Sequence, residues 1–209
     1  MKSSSGNIAR VFWVTVHLEQ PARFPMGCVG TSVASLATEI CRTPNPVASS
    51  QLICKQCEYY EPQRSDRLAY IVHADRYTIG STSRWIRTLE HEQQSRCPVC
   101  LAEMEQPIFY NEPPSLLVLE YSGKNVKTSH KLIIEHDKGF IDLYLRGIVY
   151  LGGFHFTCRI FSEGGDIYYH DGRETGVTCI NDGQLKTMQY SSLQTCKNRG
   201  LILAVYARV

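Results

Sequence analysis

The sequence has little net charge, no long apolar run and no internal repeat, and each shortage removes a class of function. Lys and Arg number 22 against 20 Asp and Glu, and the resulting formal charge of +2 is too small to imply a polyanionic partner, so no nucleic acid is expected. The opening MKSSSGNIARVFWVTVHLEQ holds only a short apolar stretch, without the core and cleavage pattern of a secretory signal, and nothing later is long and apolar enough to span a bilayer. The expectation is a soluble intracellular protein, cytoplasmic or nuclear, with no membrane partner. Low-complexity tracts and convincing linkers are missing too, since QPARFPMGCVG and RTPNPVASSQ read as ordinary loops. A length of 209 residues accommodates one substantial core, so a single domain carrying an insertion is expected.

Cysteine, by contrast, is plentiful, with nine in the chain. A secreted disulfide scaffold fits a shorter, loop-rich chain better, and the arrangement says more than the number. CKQC at Cys54 and Cys57 and CPVC at Cys97 and Cys100 form two matched pairs. Two residues between thiolates let one tight turn present both sulfurs to one ion, and two such turns complete a closed tetrahedral site for structural zinc. Buried reduced cysteines or a redox-active pair are the alternatives; a catalytic zinc is disfavoured because four thiolates leave no open position. The basic residues between the pairs, among them Arg64, Arg67, Arg84 and Arg87, are nearly balanced by Glu58, Glu61, Asp66, Asp75, Glu90 and Glu92. That balance reads as a solvated face and not as a phosphate-tracking surface.

The fold class read from the pattern is α+β, dominated by an antiparallel sheet. VFWVTVHL reads as a strand and TSVASLATEICR as a short helix capped by Thr or Ser, which makes residues 1–53 a strand and helix segment. Within the insertion, 54–100, LAYIVHADRYTI has strand character and STSRWIRTLEHEQQ offers Ser83 as the cap of a helix. From 101 to 209 the chain is mostly strands: Leu116 to Leu119, Leu132 to Ile134, FIDLYLRGIVYL, FHFTCRIF, DIYYH and GLILAVYARV.

In YLGGFHFTCRIFSEGGDIYYHDGR, Gly152 and Gly153 precede His155, and SEGG turns the chain back toward Asp171. A carboxylate accepting from one ring nitrogen fixes the tautomer and leaves the other able to take a proton, the base-and-orienter half of a nucleophilic triad. A purely structural pair fits the spacing equally. Cys158 lies three residues along the same strand, so its side chain is expected on the opposite face from His155.

The order of these features resembles the fingers and C-terminal half of a ubiquitin-specific protease catalytic domain: two CxxC knuckles flanking an insertion, then PPSLLVLEY, YLRGIVYLGGFHFTCRIF, DIYYHDG and GLILAVYARV. The resemblance runs from about residue 50 to the end. It implies a palm-like antiparallel sheet, one half of a papain-like architecture, with a zinc-ribbon fingers insertion. It also implies His155 as base, with Phe156 completing the histidine box, Asp171 as orienter, and Tyr206 with Arg208 in the terminal strand. The family's Asn-Thr-Cys box does not occur, Phe154 and Gly172 replace the usual glycine and polar residue, and LEYSG lacks the usual Lys-Arg-Phe. Cys28 is the substitute nucleophile with a chemical rationale, because a following helix N-terminus lowers a thiol pKa and donates to an oxyanion; an ordinary loop thiol is its alternative. The expected function is a catalytically incomplete domain or pseudoenzyme that binds ubiquitin, a ubiquitin-like modifier or another protein. The alternatives are an active isopeptidase, using Cys28 or a nucleophile supplied by upstream sequence, and a zinc-ribbon interaction module unrelated to ubiquitin.

Overall fold

The computed structural model describes residues 5–27, 30–65, 68–72, 80–87, 96–105, 108–121, 126–136 and 138–209. These fall into two compact units, Met1–Ile40 and Cys41–Val209.

The first unit contains two helices, α1 (Ser5–Glu19) and α2 (Val33–Ile40). The strand expected over VFWVTVHL is corrected here: that stretch lies inside α1. Its Val, Thr and aromatic content favours a strand by propensity, but its inward positions follow the helical period. Phe12, Trp13, Val16 and His17 are half-buried or buried, while Val11, Val14 and Leu18 face out. Trp13 meets buried Phe24 edge-on at 6.2 Å, and His17 Nδ1 lies 2.8 Å from the Phe24 carbonyl. Helix α2 forms where TSVASLATEICR predicts it, with Ser32 as the cap accepting from the Ser35 N–H at 3.4 Å.

The second unit is built on a twelve-stranded, mainly antiparallel sheet. Strands β1 (Ala48–Ile53) and β2 (Tyr60–Ser65) form a hairpin across the first cysteine pair. Then come β3 (Ala69–Val72), helix α3 (Thr82–Arg87), β4 (Ile108–Tyr110), β5 (Leu116–Tyr121) and β6 (Lys131–His136). The cap of α3 is Ser81, which accepts from the Arg84 N–H at 3.3 Å. Ser83, the expected cap, instead donates its hydroxyl to the Lys131 carbonyl at 2.9 Å. The rest of the expected helix, residues 88–94, lies outside the described residues.

The sheet continues through β7 (Gly139–Gly152), β8 (His155–Phe161), β9 (Asp166–His170) and β10 (Ile180–Gln184), then helix α4 (Tyr190–Gln194), β11 (Thr195–Cys196) and β12 (Arg199–Ala207). The long strand β7 organises the whole: its first half pairs with β6, its second half with β8, and β12 runs beside Tyr144–Leu151. β12 also pairs with β5, while β3 on β5 and β4 on β6 pair in parallel. Alternation fills the core from one face. In β6, Leu132 and Ile134 are buried and Ile133 is exposed. Leu117, Leu143, Ile148 and Leu193 are fully buried, and so is Tyr206, whose hydroxyl donates to the Ser129 carbonyl at 2.8 Å. Among the described residues no helix is long and apolar enough to cross a membrane.

Candidate functional site

The two cysteine pairs fold into matching knuckles. In each, the carbonyl of the first cysteine accepts from the N–H four residues on, Glu58 to Cys54 and Leu101 to Cys97, both at 2.9 Å. The first cysteine's own N–H donates one residue further, Cys54 to Tyr59 at 2.9 Å and Cys97 to Ala102 at 2.8 Å. Glu58 and Leu101 both take left-handed φ, 60° and 63°. That conformation is the cost of swinging the chain sharply enough to aim two sulfurs at one point. Bridges from Ile53 to Glu105 and from Arg96 to Glu103 hold the knuckles in place, and Lys55 pairs with Glu105 at 2.7 Å.

The four sulfurs lie within 4.8 Å of one another, with Cys54 to Cys100 and Cys57 to Cys97 at 3.4 Å. Bonds of about 2.3 Å to one tetrahedral zinc require sulfurs about 3.8 Å apart, so the set fits that ion. The electrostatics agree. Burial opposes ionisation of Cys54, but the N–H groups of Cys57 and Gln56 and the Cys100 thiol outweigh it and bring the group down to about 7. The Tyr59 N–H favours a Cys57 thiolate, yet burial and the thiols of Cys97, Cys100 and Cys54 push that group up to about 12. Like charges gathered this closely are stabilised by a bound cation, and Leu52 and Met104 pack against the cluster. This is a structural zinc site.

The second cluster is centred on Asp171. Gly152 pairs with His155, and the two residues between them, Gly153 and Phe154, have φ of 59° and 55°. This is the left-handed pair of a type I′ turn, the connection that matches strand twist. It places His155 first on β8. The return turn closes with the Ser162 N–H on the Asp166 carbonyl at 2.9 Å, and Gly165 supplies a φ of 85°. Asp171 follows directly after β9.

His155 Nε2 lies 2.6 Å from Asp171 Oδ1. The carboxylate is fully buried and also accepts from the Arg173 N–H at 2.9 Å and, on Oδ2, from the Tyr169 hydroxyl at 3.2 Å. Arg199 Nη2 stands 3.7 Å from Oδ2. Burial works against this charge, but His155 and the N–H groups of Arg173 and Glu174 hold the carboxyl well below the usual carboxylate range. An ionised carboxylate only accepts, so Nε2 carries the hydrogen of this contact. The arrangement can orient an imidazole and take a proton at Nδ1.

Along β8, Thr157 and Arg159 are buried on the face that His155 shares, while Phe156, Cys158 and Ile160 turn the other way. Cys158 is thus misdirected for His155, and among the described residues no cysteine hydrogen-bonds that histidine. Burial pushes the Cys158 thiol up. Cys28 lies outside the described residues.

Sequence reasoning missed Arg159. Its guanidinium donates to Asp182 at 2.6 Å, the Tyr150 hydroxyl at 3.2 Å and the Ser192 carbonyl at 2.5 Å, tying β8 to β7, β10 and α4. An arginine at an inward position of a strand, where charged side chains are rarely buried unpaired, is the signal that marks it. Arg199, 3.7 Å from the Asp171 carboxylate, was missed as well, and no motif around it announces that contact.

No family model matches the chain, and no curated protein sequence matches it. Solved structures do. A chain of the SAGA Ubp8/Sgf11/Sus1/Sgf73 DUB module bound to ubiquitin aldehyde matches with a TM-score of 0.53 at 12% identity, over 99% of this chain and 49% of that chain. A chain of the Ubp8-Sgf11-Sgf73-Sus1 SAGA DUB module matches with a TM-score of 0.54 at 11% identity, over 98% and 48%. A yeast SAGA DUB module with an Sgf73 mutant gives 0.51 at 14% identity, over 78% and 40%. The chain spans half or less of the length of these solved chains. At such identities the likeness speaks for the fold: an α+β, mainly antiparallel architecture similar to that of chains in a deubiquitinase module, here carrying a four-cysteine zinc site.

Proposed function

We propose that the chain is a ubiquitin-specific-protease-like domain that binds ubiquitin or a ubiquitin-like modifier, and that on its own it carries the base and orienter of a cysteine isopeptidase site without a usable nucleophile. The observation that carries this reading is the His155 to Asp171 contact of 2.6 Å, in a fold similar to chains from modules whose solved structures include ubiquitin aldehyde. Among the described residues the knuckle thiols converge on one metal position and Cys158 faces away from the imidazole. A covalent mechanism without its nucleophile has no pathway, whereas a binding surface survives that loss. The cytoplasm or nucleus is the compartment this reading implies.

The test is a ubiquitin-based electrophilic probe. The proposal expects no adduct and no turnover of ubiquitin or SUMO conjugates. Labelling that disappears in Cys28→Ala overturns it in favour of an active isopeptidase. Absence of both labelling and modifier binding favours a zinc-ribbon interaction module.

A further inference from the structure

Gly152 pairs with His155 on β8 and lies against Arg199 on β12. A Cβ built on Gly152 would stand 2.8 Å from Arg199 Cγ and 3.1 Å from its Cα, closer than real side chains approach. Only glycine lets β12 come this near. The strand is delivered there by a second tight turn, with Cys196 paired to Arg199 across Lys197 and Asn198, whose φ values are 45° and 64°. The result is one buried carboxylate shared by two groups: His155 at 2.6 Å on Oδ1, and the Arg199 guanidinium at 3.7 Å on Oδ2 beside the Tyr169 hydroxyl.

The neighbouring charges make this sharing meaningful. Lys197, from the β11 to β12 turn, bonds Glu174 at 2.7 Å and stands 4.3 Å over the Tyr169 ring. Arg159, on β8, is paired with Asp182 on β10 at 2.6 Å. Each of those cations has its own carboxylate, which leaves Asp171 to serve Arg199 and His155 together. Arg173 contributes its backbone N–H to the same carboxylate.

We infer that Arg199, admitted by Gly152, is a positioning residue that divides Asp171 with His155 and biases the imidazole toward its neutral form. A fixed guanidinium competes for the carboxylate that would stabilise an imidazolium. A neutral imidazole presents an Nδ1 lone pair that accepts a proton from an incoming group. It disfavours a resting thiolate and imidazolium pair, the form in which a cysteine is most reactive. The inference rests on the reading of His155 and Asp171 as base and orienter.

The experiment is an NMR pH titration of the zinc-loaded chain with labelled histidine, the His155 signal being assigned by its loss in His155→Gln. Arg199→Met is expected to increase the proton affinity of His155 about tenfold, the size of effect of giving the imidazole an undivided carboxylate. Arg199→Lys is expected to retain most of the parent behaviour. Gly152→Ala, which keeps every charge but pushes Arg199 off, is expected to move in the same direction as Arg199→Met, and it carries the test if the methionine variant does not fold. Unchanged titration of His155 in Arg199→Met or in Gly152→Ala overturns the inference. Asp171→Asn separates the two levels. If it alters His155 while the Arg199 and Gly152 variants do not, only the role of Arg199 falls; if it too leaves His155 unchanged, the pair itself is not coupled and both fall.

Discussion

Phe154 holds a left-handed φ of 55° one residue before His155, with its ring fully exposed. An L side chain there strains the backbone and packs against nothing, so Phe154→Gly is expected to stabilise the fold by about 0.5–1 kcal/mol, the balance of relieved strain and glycine's extra entropy. Chemical denaturation checks this, and the His155 to Asp171 contact should be retained. Asp171 makes the complementary case. Its folded carboxyl titrates below the unfolded one, so it stabilises the native state above the usual carboxylate range, and that contribution is lost as the pH falls through the folded value. Acid unfolding profiles should therefore differ between the parent and Asp171→Asn, the parent's advantage shrinking as the pH drops below about 4. Equal slopes across that window would contradict the account. The histidine and aspartate were legible in the sequence because a two-residue turn fixes register; Arg199 was not, because its approach depends on a third strand meeting Gly152.

At the scale of elements, strand alternation made β5 to β9 and β12 readable, and it alone puts Cys158 on the face opposite His155. The same propensities misread VFWVTVHL, where the packing of Trp13 on Phe24 and the burial of Val16 impose a helical period on residues that favour strands locally. The short strand β10 and helix α4 were also invisible, since INDGQ and YSSLQ carry no apolar pattern. They are held by Arg159. Replacing it with Leu strands Asp182, the Tyr150 hydroxyl and the Ser192 carbonyl, and is expected to cost about 3 kcal/mol in a denaturant titration. A change below about 0.5 kcal/mol would show that the clamp is dispensable. The knuckles, by contrast, were fully legible, because CxxC spacing encodes their geometry locally. Purified protein should hold about one equivalent of zinc, and Cys97→Ser should lose it, with the pairing around Cys54 and Cys97 losing amide protection on chelation. Less than about half an equivalent after metal-replete expression would remove the claim.

For the molecule as a whole, the sheet centred on β7 carries the zinc site at one part and the His155 to Asp171 cluster at another, in a fold similar to chains of ubiquitin-bound deubiquitinase modules. Neither half of that description required a charge excess or an apolar span, and the sequence has neither. What remained hidden from the sequence is long-range: which turn, strand and cation surround Asp171 depends on contacts between residues 152, 171 and 199 that no local motif records. The proposed function is recognition of a ubiquitin-type modifier without turnover. Titrating isotope-labelled ubiquitin, and SUMO in parallel, with the zinc-loaded chain tests it most directly. The account predicts saturable chemical-shift changes on one of the two, with the modifier recovered intact and unlinked to the chain; unchanged spectra for both, or recovery of a covalent adduct, would contradict it.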